Sequence, residues 1–352
     1  MKTLLCLFAV ASLALPLSSA AGEAAASSLP ACASPSQRVN GEGFVRINGI
    51  EQWVTMRGDR CDNPVILIAH GGPGNPQSLY ANGPEASWQK DFTIVHWDQR
   101  GAGMTYGRNV PAKDEKLTVE QLRDDALAVA RHVAARLGKR KLILMGGSWG
   151  SVLGVYMAKA QPELFCAYLG TAQFVAHREN IDGHAKLIAL ARAAGDMETV
   201  AKLDALGPPP WTNPRSFGIE RRAMRKYEAM STDPMPKAWY APGALYATAQ
   251  AQAAYEAGED YSFVQFVGMR GDGMLQTIDL VKLGTDFALP VYLVQGTQDL
   301  LTTPEVTQRY FNAIRAPVKK LVLVPRAGHD PNLPTVEAQG RLLREEIRPR
   351  CL

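Results

Sequence analysis

One stretch limits what this chain can fold into more than any other: Lys141-Leu-Ile-Leu-Met-Gly-Gly-Ser-Trp-Gly-Ser-Val-Leu-Gly-Val-Tyr-Met157. Leu142 to Met145 read as a buried strand, and Val152, Val155 and Tyr156 begin the inward face of a helix. Between them lies Gly146-Gly147-Ser148-Trp149-Gly150. A serine on so sharp a strand-to-helix turn must hold a strained backbone conformation. Glycines two before and two after are needed, because a Cβ at either place would collide with the neighbouring strand or helix. The strain presents Ser148 Oγ at the top of a sheet, and the helix behind it aims free N–H groups at the spot where an oxyanion would form. In a chain with 31 glycines a Gly-x-Ser-x-Gly run also arises by chance, so the rest of the sequence must supply a base and an acid.

The chain opens with Lys2, an apolar core from Leu4 to Leu17 and Ser18-Ser19-Ala20, the pattern of a secretory signal peptide over residues 1–20 that is cut after Ala20. A lipoprotein anchor fits less well, since Cys6 lies inside the apolar core and Cys32 lies far beyond it. Export to a periplasmic or extracellular location is therefore expected. No later segment is apolar for long enough to span a membrane. The net charge of +4 comes from intermixed signs, which implies neither a nucleic-acid partner nor an anionic membrane surface. Of five cysteines only Cys6 falls in the leader. The others suit two disulfides, Cys32 to Cys61, tying the lead-in to the loop before the third strand, and Cys166 to Cys351, joining the last helix to the start of a strand.

Residues 21–40, rich in Ala, Ser and Pro, read as a mobile lead-in. Phe44 to Asn48 and Glu51 to Arg57 form a hairpin around Asn48-Gly49. Pro64 to His70 and Phe92 to Asp98 are continuous enough in apolar residues to be central strands. Gly101, Gly103 and Gly107 follow the latter, but Arg108-Asn-Val-Pro cannot open a helix that would bind a pyrophosphate, which excludes a dinucleotide site. Thr118-Val-Glu-Gln121 is a capping box for a helix that Gly138 ends. After a strand over Cys166–Gly170 the alternation stops, and helical patterns over 185–194, 197–206, 219–230 and 244–257 take its place. It resumes with strands at 290–295 and 320–324 and helices at 304–313 and 335–347. The pattern predicts eight strands, mostly parallel with an antiparallel pair first, wrapped by helices on both faces. The domain plan is a first hydrolase part over 41–171, a helical cap over 172–286 and a second part over 287–352.

Of six histidines, His70 and His329 end predicted strands. His70 suits a structural role in its loop. His329 follows the last strand, on the sheet edge that carries Ser148. Asp299, in Gly296-Thr-Gln-Asp-Leu300, is the acid candidate. Ser148, Asp299 and His329 thus occur in the chain order of the α/β-hydrolase fold. His329 would act as general base and Asp299 would fix its tautomer, while Trp149 N–H and Gly72 N–H would form the oxyanion hole. Such a site requires no metal or other cofactor.

His70-Gly-Gly-Pro-Gly74, Trp97-Asp-Gln-Arg-Gly101 and Gly146-Gly-Ser-Trp-Gly-Ser151 together resemble the proline iminopeptidases and their close α/β-hydrolase relatives. The resemblance covers the sheet domain. It implies a helical cap after the sixth strand and a Ser148, Asp299 and His329 triad. Aminopeptidases of that family hold the substrate's free amine with cap carboxylates, and here the sequence departs from the family, since Glu179, Glu220, Glu228 and Glu256 do not align to those positions. The expected activity is that of a secreted serine hydrolase working through an acyl-enzyme, an aminopeptidase that releases N-terminal proline or small residues. The alternative is a carboxylesterase or other small amide or ester hydrolase on the same triad. The substrate is then a small peptide, ester or amide, and the oligomeric state stays open. Epoxide hydrolases and haloalkane dehalogenases share the fold but need a carboxylate where Ser148 stands.

Overall fold

The computed structural model describes residues 29–80, 83–112 and 115–351. The leader over 1–20 and the first part of the lead-in lie outside the described residues. Where it is described, the lead-in is anchored: Leu29 is buried, its carbonyl accepts from Arg136, and Cys32 is bonded to Cys61. β1 (Val39–Ile47) accordingly begins earlier than the hydrophobic pattern suggests. It pairs with β2 (Ile50–Gly58), Ile47 opposite Ile50, and Asn48 and Gly49 turn the corner with φ of 45° and 88°. Positive φ at both residues is what a tight hairpin turn demands.

β3 (Val65–Ala69), β4 (Thr93–Trp97), β5 (Leu142–Gly147), β6 (Phe165–Thr171), β7 (Val291–Gly296) and β8 (Lys319–Val324) complete a sheet of order β1-β2-β4-β3-β5-β6-β7-β8. β2 runs antiparallel to both its neighbours, and all other pairs are parallel. β3 and β7 are buried at every position, which is why they read as unbroken apolar runs. Alternate side chains serve opposite faces. Ile66, Ile68, Ile143 and Met145 belong to one core, and Leu67, Ala69, Leu142 and Leu144 to the other.

The second of these cores is closed by α2 (Val119–Arg136) and α3 (Trp149–Ala160), and the first by the last helix, described below. At the α2 N-terminus the Thr118 hydroxyl accepts from Gln121 N at 3.1 Å, but Gln121 Oε1 has no partner among the described residues, so only half of the capping box forms. Ahead of α2 the chain makes a short helix that the hydrophobic pattern does not mark, α1 (Gly103–Arg108), and it ends at Arg108 rather than opening there. Its Met104 N–H donates to Asp98 rather than facing an open loop, so the helix end is occupied by a carboxylate of the protein itself.

Between β6 and β7 the chain leaves the sheet for α4 (Ile181–Ala193), α5 (Met197–Leu206), α6 (Pro214–Ala229), α7 (Ala249–Val267) and the single turn α8 (Leu280–Leu283). α4, α5 and α6 share a small core of Leu187, Leu203, Met224 and Tyr227 that reaches Leu300 in the loop after β7. α7 crosses the loops that follow β3 and β4: Ser262 Oγ donates to Gly101 O at 2.7 Å, and Asn75 donates to Glu259. α9 (Pro304–Ala313) and α10 (Leu333–Leu342) complete the sheet layers, with α10 running on into a π-turn over Leu343–Ile347.

Both expected disulfides are present. Cys166 at the start of β6 meets Cys351 with Cα atoms 5.4 Å apart, closing a span of 185 residues. In the chain-entropy account a loop of that size contributes about 5 kcal/mol. Cys351→Ser is therefore expected to lower the thermal midpoint by several degrees, more than Cys32→Ser, whose loop spans 29 residues. Scanning calorimetry of the two variants checks the ranking. None of the described helices is long and apolar enough to cross a membrane.

Candidate active site

Ser148 sits at the end of β5, the strand flanked by β3 and β6, with φ 53° and ψ −122°. The two glycines that frame it are sterically required. A Cβ on Gly146 would lie 2.2 Å from Gly150 O, and one on Gly150 would lie 2.0 Å from Ala69 O. The turn is pinned by Ser148 N donating to Thr171 O at 3.0 Å and by Ser151 Oγ donating to Ser148 O at 2.6 Å. Trp149 N–H, the first of α3, has no acceptor within its own helix.

The loops after β7 and β8 approach each other because Gly296 has no side chain. A Cβ there would meet the carbonyls of Ala327 and Gly328 at 2.5 Å. This brings His329 Nε2 to 3.0 Å from Ser148 Oγ and His329 Nδ1 to 3.1 Å from Asp299 Oδ2. Asp299 is buried and accepts at Oδ1 from Leu301 N and Thr302 N, at 2.9 and 2.8 Å. Its Oδ2 accepts from Thr302 Oγ1 at 2.7 Å and Gln295 Nε2 at 3.0 Å. Burial alone would raise this carboxyl, but the His329 charge and the bonds from His329 and Thr302 hold it below its ordinary value of 3.8. An ionised carboxylate only accepts, so Nδ1 carries the imidazole proton and Nε2 is left to accept from the serine hydroxyl. Chemically, the arrangement can take a proton from Ser148 as its oxygen attacks a carbonyl.

Sequence reading did not find the supporting groups Gln295 and Thr302, and it named Glu228 only in connection with the substrate amine. A threonine three residues after an aspartate is a local turn signal that could have flagged Thr302. Glu228, on α6, accepts from Leu300 N at 2.8 Å and His329 N at 3.2 Å, so one carboxylate ties both catalytic loops to the helical excursion. Burial and the neighbouring Asp299 push it up, against the pull of His329.

The three motifs each have a physical task. His70 accepts from Gln99 N at Nε2, at 3.2 Å, and so donates from Nδ1 to Gly71 O. Burial lowers it to about 4, which keeps it neutral and structural as expected. Trp97 donates to Gln52, Gln99 accepts from the Trp149 indole, and Arg100 forms a buried ion pair with Asp125 at 2.8 Å. Asp98 accepts from Ser78, from Tyr246 and from Met104 N, and burial raises it to about 6. The loop from His70 to Gly74, which carries Gly72 with φ of 109°, is thereby fixed beside Ser148.

A cavity of about 640 Å³ opens over Ser148 and His329 and is bordered by Gly71 and Gly72. None of Glu179, Glu220, Glu228 and Glu256 borders it. Glu179 pairs with Arg309, Glu220 with His184, Glu228 with the loop amides, and Glu256 points to solvent. The carboxylates that do border it are Glu85, Glu259 and Asp330, together with Arg221 and Arg225.

A family model described as serine aminopeptidase, S33, matches residues 62–333. The chain belongs to the serine aminopeptidase S33 family. Among its relatives, a probable aminopeptidase YbaC of Bacillus subtilis is 26% identical over 297 residues, 82% of this chain and 90% of the relative. A proline iminopeptidase of Neisseria gonorrhoeae is 24% identical over 332 residues, 88% of this chain and 97% of the relative. In fold, this S33 chain is similar to the crystal structure of a Mycobacterium smegmatis proline iminopeptidase, with a TM-score of 0.60, 21% identity, and coverage of 88% of this chain and 95% of that one. It is an α/β-hydrolase enzyme of the aminopeptidase or esterase type.

Proposed function

We propose that this S33 enzyme is an exported aminopeptidase that removes N-terminal proline or small residues through an acyl-enzyme. Ser148 attacks, His329 takes its proton and later gives it to the leaving amine, and Asp299 steadies the imidazolium. Trp149 N–H and Gly72 N–H hold the oxyanion. Residues 172–286 act as a cap over the site, between hydrolase parts at 41–171 and 287–352, and residues 1–20 direct export. The two disulfides agree with an oxidising compartment. The observation that carries the chemistry is the continuous chain of hydrogen bonds from Ser148 Oγ through His329 to Asp299.

Support for a free amine comes from the cavity's charges, three carboxylates against two guanidiniums that are both paired with Asp330. A buried ammonium is tolerated only where carboxylates accept its hydrogen bonds. Acetylating the N-terminus of a prolyl arylamide removes that charge and is expected to cost about 2–5 kcal/mol of transition-state binding. Comparison of kcat/KM for the free and acetylated substrates tests this. Equal values, or hydrolysis of p-nitrophenyl acetate far above any arylamide, would assign the enzyme to the esterases.

A further inference from the structure

Glu85 is one of the three carboxylates of the cavity, and the scheme above assigns no particular substrate atom to it. It lies in the short turn Pro84–Trp88, is 5% exposed, and borders the catalytic cavity. Its own backbone N–H donates to the carboxylate, while Oε2 has no partner among the described residues. The other two carboxylates of the cavity are engaged, Asp330 with Arg221 and Arg225, and Glu259 with Asn75. An acid in the first turn of a helical segment is ordinary, but a buried carboxylate oxygen without a partner at the wall of a cavity is not, because burying an unsatisfied carboxylate is costly. Burial pushes this group up to about 7, so an arriving counter-charge would be needed to hold it ionised.

Its position says which part of a substrate can reach it. Glu85 also borders a second cavity of about 270 Å³, lined by Ile94 and His96 of β4. β4 is two strands away from β5, on which Ser148 is mounted, so this second cavity lies toward the β4 side of the sheet. An α-amine is only two bonds from the carbonyl that Ser148 attacks and would stay close to the serine. A group that reaches Glu85 from the β4 side of the cavity belongs on the substrate's side chain, away from the backbone atoms held at the serine. Ile68, Met145, Pro84 and Trp239 of the same cavity offer apolar surface for the stem of such a chain.

Resting on the aminopeptidase reading, and extending its substrates beyond proline and small residues, we infer that Glu85 is a specificity residue that receives the cationic end of a long aliphatic side chain on the acyl residue, as in lysine.

The test compares lysyl- and norleucyl-arylamides, which share the stem and differ in the ammonium, on the wild type, Glu85→Gln and Glu85→Leu. A charge-assisted hydrogen bond predicts a lysyl preference in kcat/KM of about 10- to 100-fold in the wild type. That preference, read as the ratio of lysyl to norleucyl kcat/KM, should fall in Glu85→Gln and vanish in Glu85→Leu. Labelling of each variant by a fluorophosphonate reports that it is folded, and Glu85→Gln preserves the shape should Glu85→Leu fail. A lysyl to norleucyl ratio that is the same in wild type and variants overturns the inference. If the wild type cleaves no arylamide, the aminopeptidase reading fails by itself. The subsite is then read from p-nitrophenyl esters of 6-aminohexanoate and hexanoate: a preference for the amino ester that Glu85→Gln and Glu85→Leu abolish supports it, and an unchanged ratio overturns it.

Discussion

Ser148→Ala is expected to lower kcat by a factor on the order of a million, as removal of a serine nucleophile does when chemistry limits the rate. The fold should persist, because the features that shape the turn are backbone ones: the Gly146 and Gly150 contacts and the Ser148 N bond to Thr171 O. His329 would keep its bond to Asp299 and lose only its serine partner. Residual turnover above water would come from the oxyanion donors and from binding. Steady-state rates together with an unchanged thermal midpoint separate lost chemistry from lost structure, and near wild-type activity would rule out the serine mechanism.

Asp299→Asn should leave the fold intact and reduce the rate by about four orders of magnitude. The reason lies in the donors around the carboxylate. Leu301 N and Thr302 N are fixed backbone groups that need an acceptor at Oδ1. The amide oxygen must therefore stay there, which turns the amide nitrogen toward Thr302 Oγ1, Gln295 and His329 Nδ1. A donor facing Nδ1 moves the imidazole proton to Nε2, where it can no longer accept from Ser148. Asp330→Asn and Asp98→Asn serve as controls, because Asp330 is paired with Arg221 and Asp98 with Ser78 and Tyr246, and neither is bonded to an imidazole. A loss of four orders in either control instead would reassign the acid. Asp299 also links stability to pH. With its folded value depressed, its contribution is present above the unfolded value and lost as pH falls through the folded one.

What could be read from the sequence was whatever a residue's neighbours in the chain determine. β3, β5 and β7 were legible because strands buried on both faces need no alternation. The nucleophile turn was legible because close backbone approach leaves glycine as the only choice at 146 and 150. Helix limits in the excursion were less so. α7 runs over Ala249–Val267 rather than 244–257, and its buried residues include Ala251, Gly258 and Ser262. Small residues that let two backbones approach make no apolar stripe. α1 has six residues and exists because Asp98 and α7 hold it, a tertiary cause that local pattern cannot show. The site divides in the same way. Ser148, Asp299 and His329 follow strand ends and could be placed from topology, whereas Glu228 and Glu85 depend on which surface a helix or turn happens to meet. Glu179, Glu220, Glu228 and Glu256, which do not align to the family's carboxylate positions, do not border the cavity either.

Reaction with a fluorophosphonate, followed by peptide mapping and by residual activity in the same samples, tests the central claim most directly. The account predicts one label per chain, on the peptide containing Ser148, with arylamide hydrolysis lost in proportion to labelling and no labelling of Ser148→Ala. Complete inactivation with Ser148 unmodified, or full activity with Ser148 fully labelled, would contradict it.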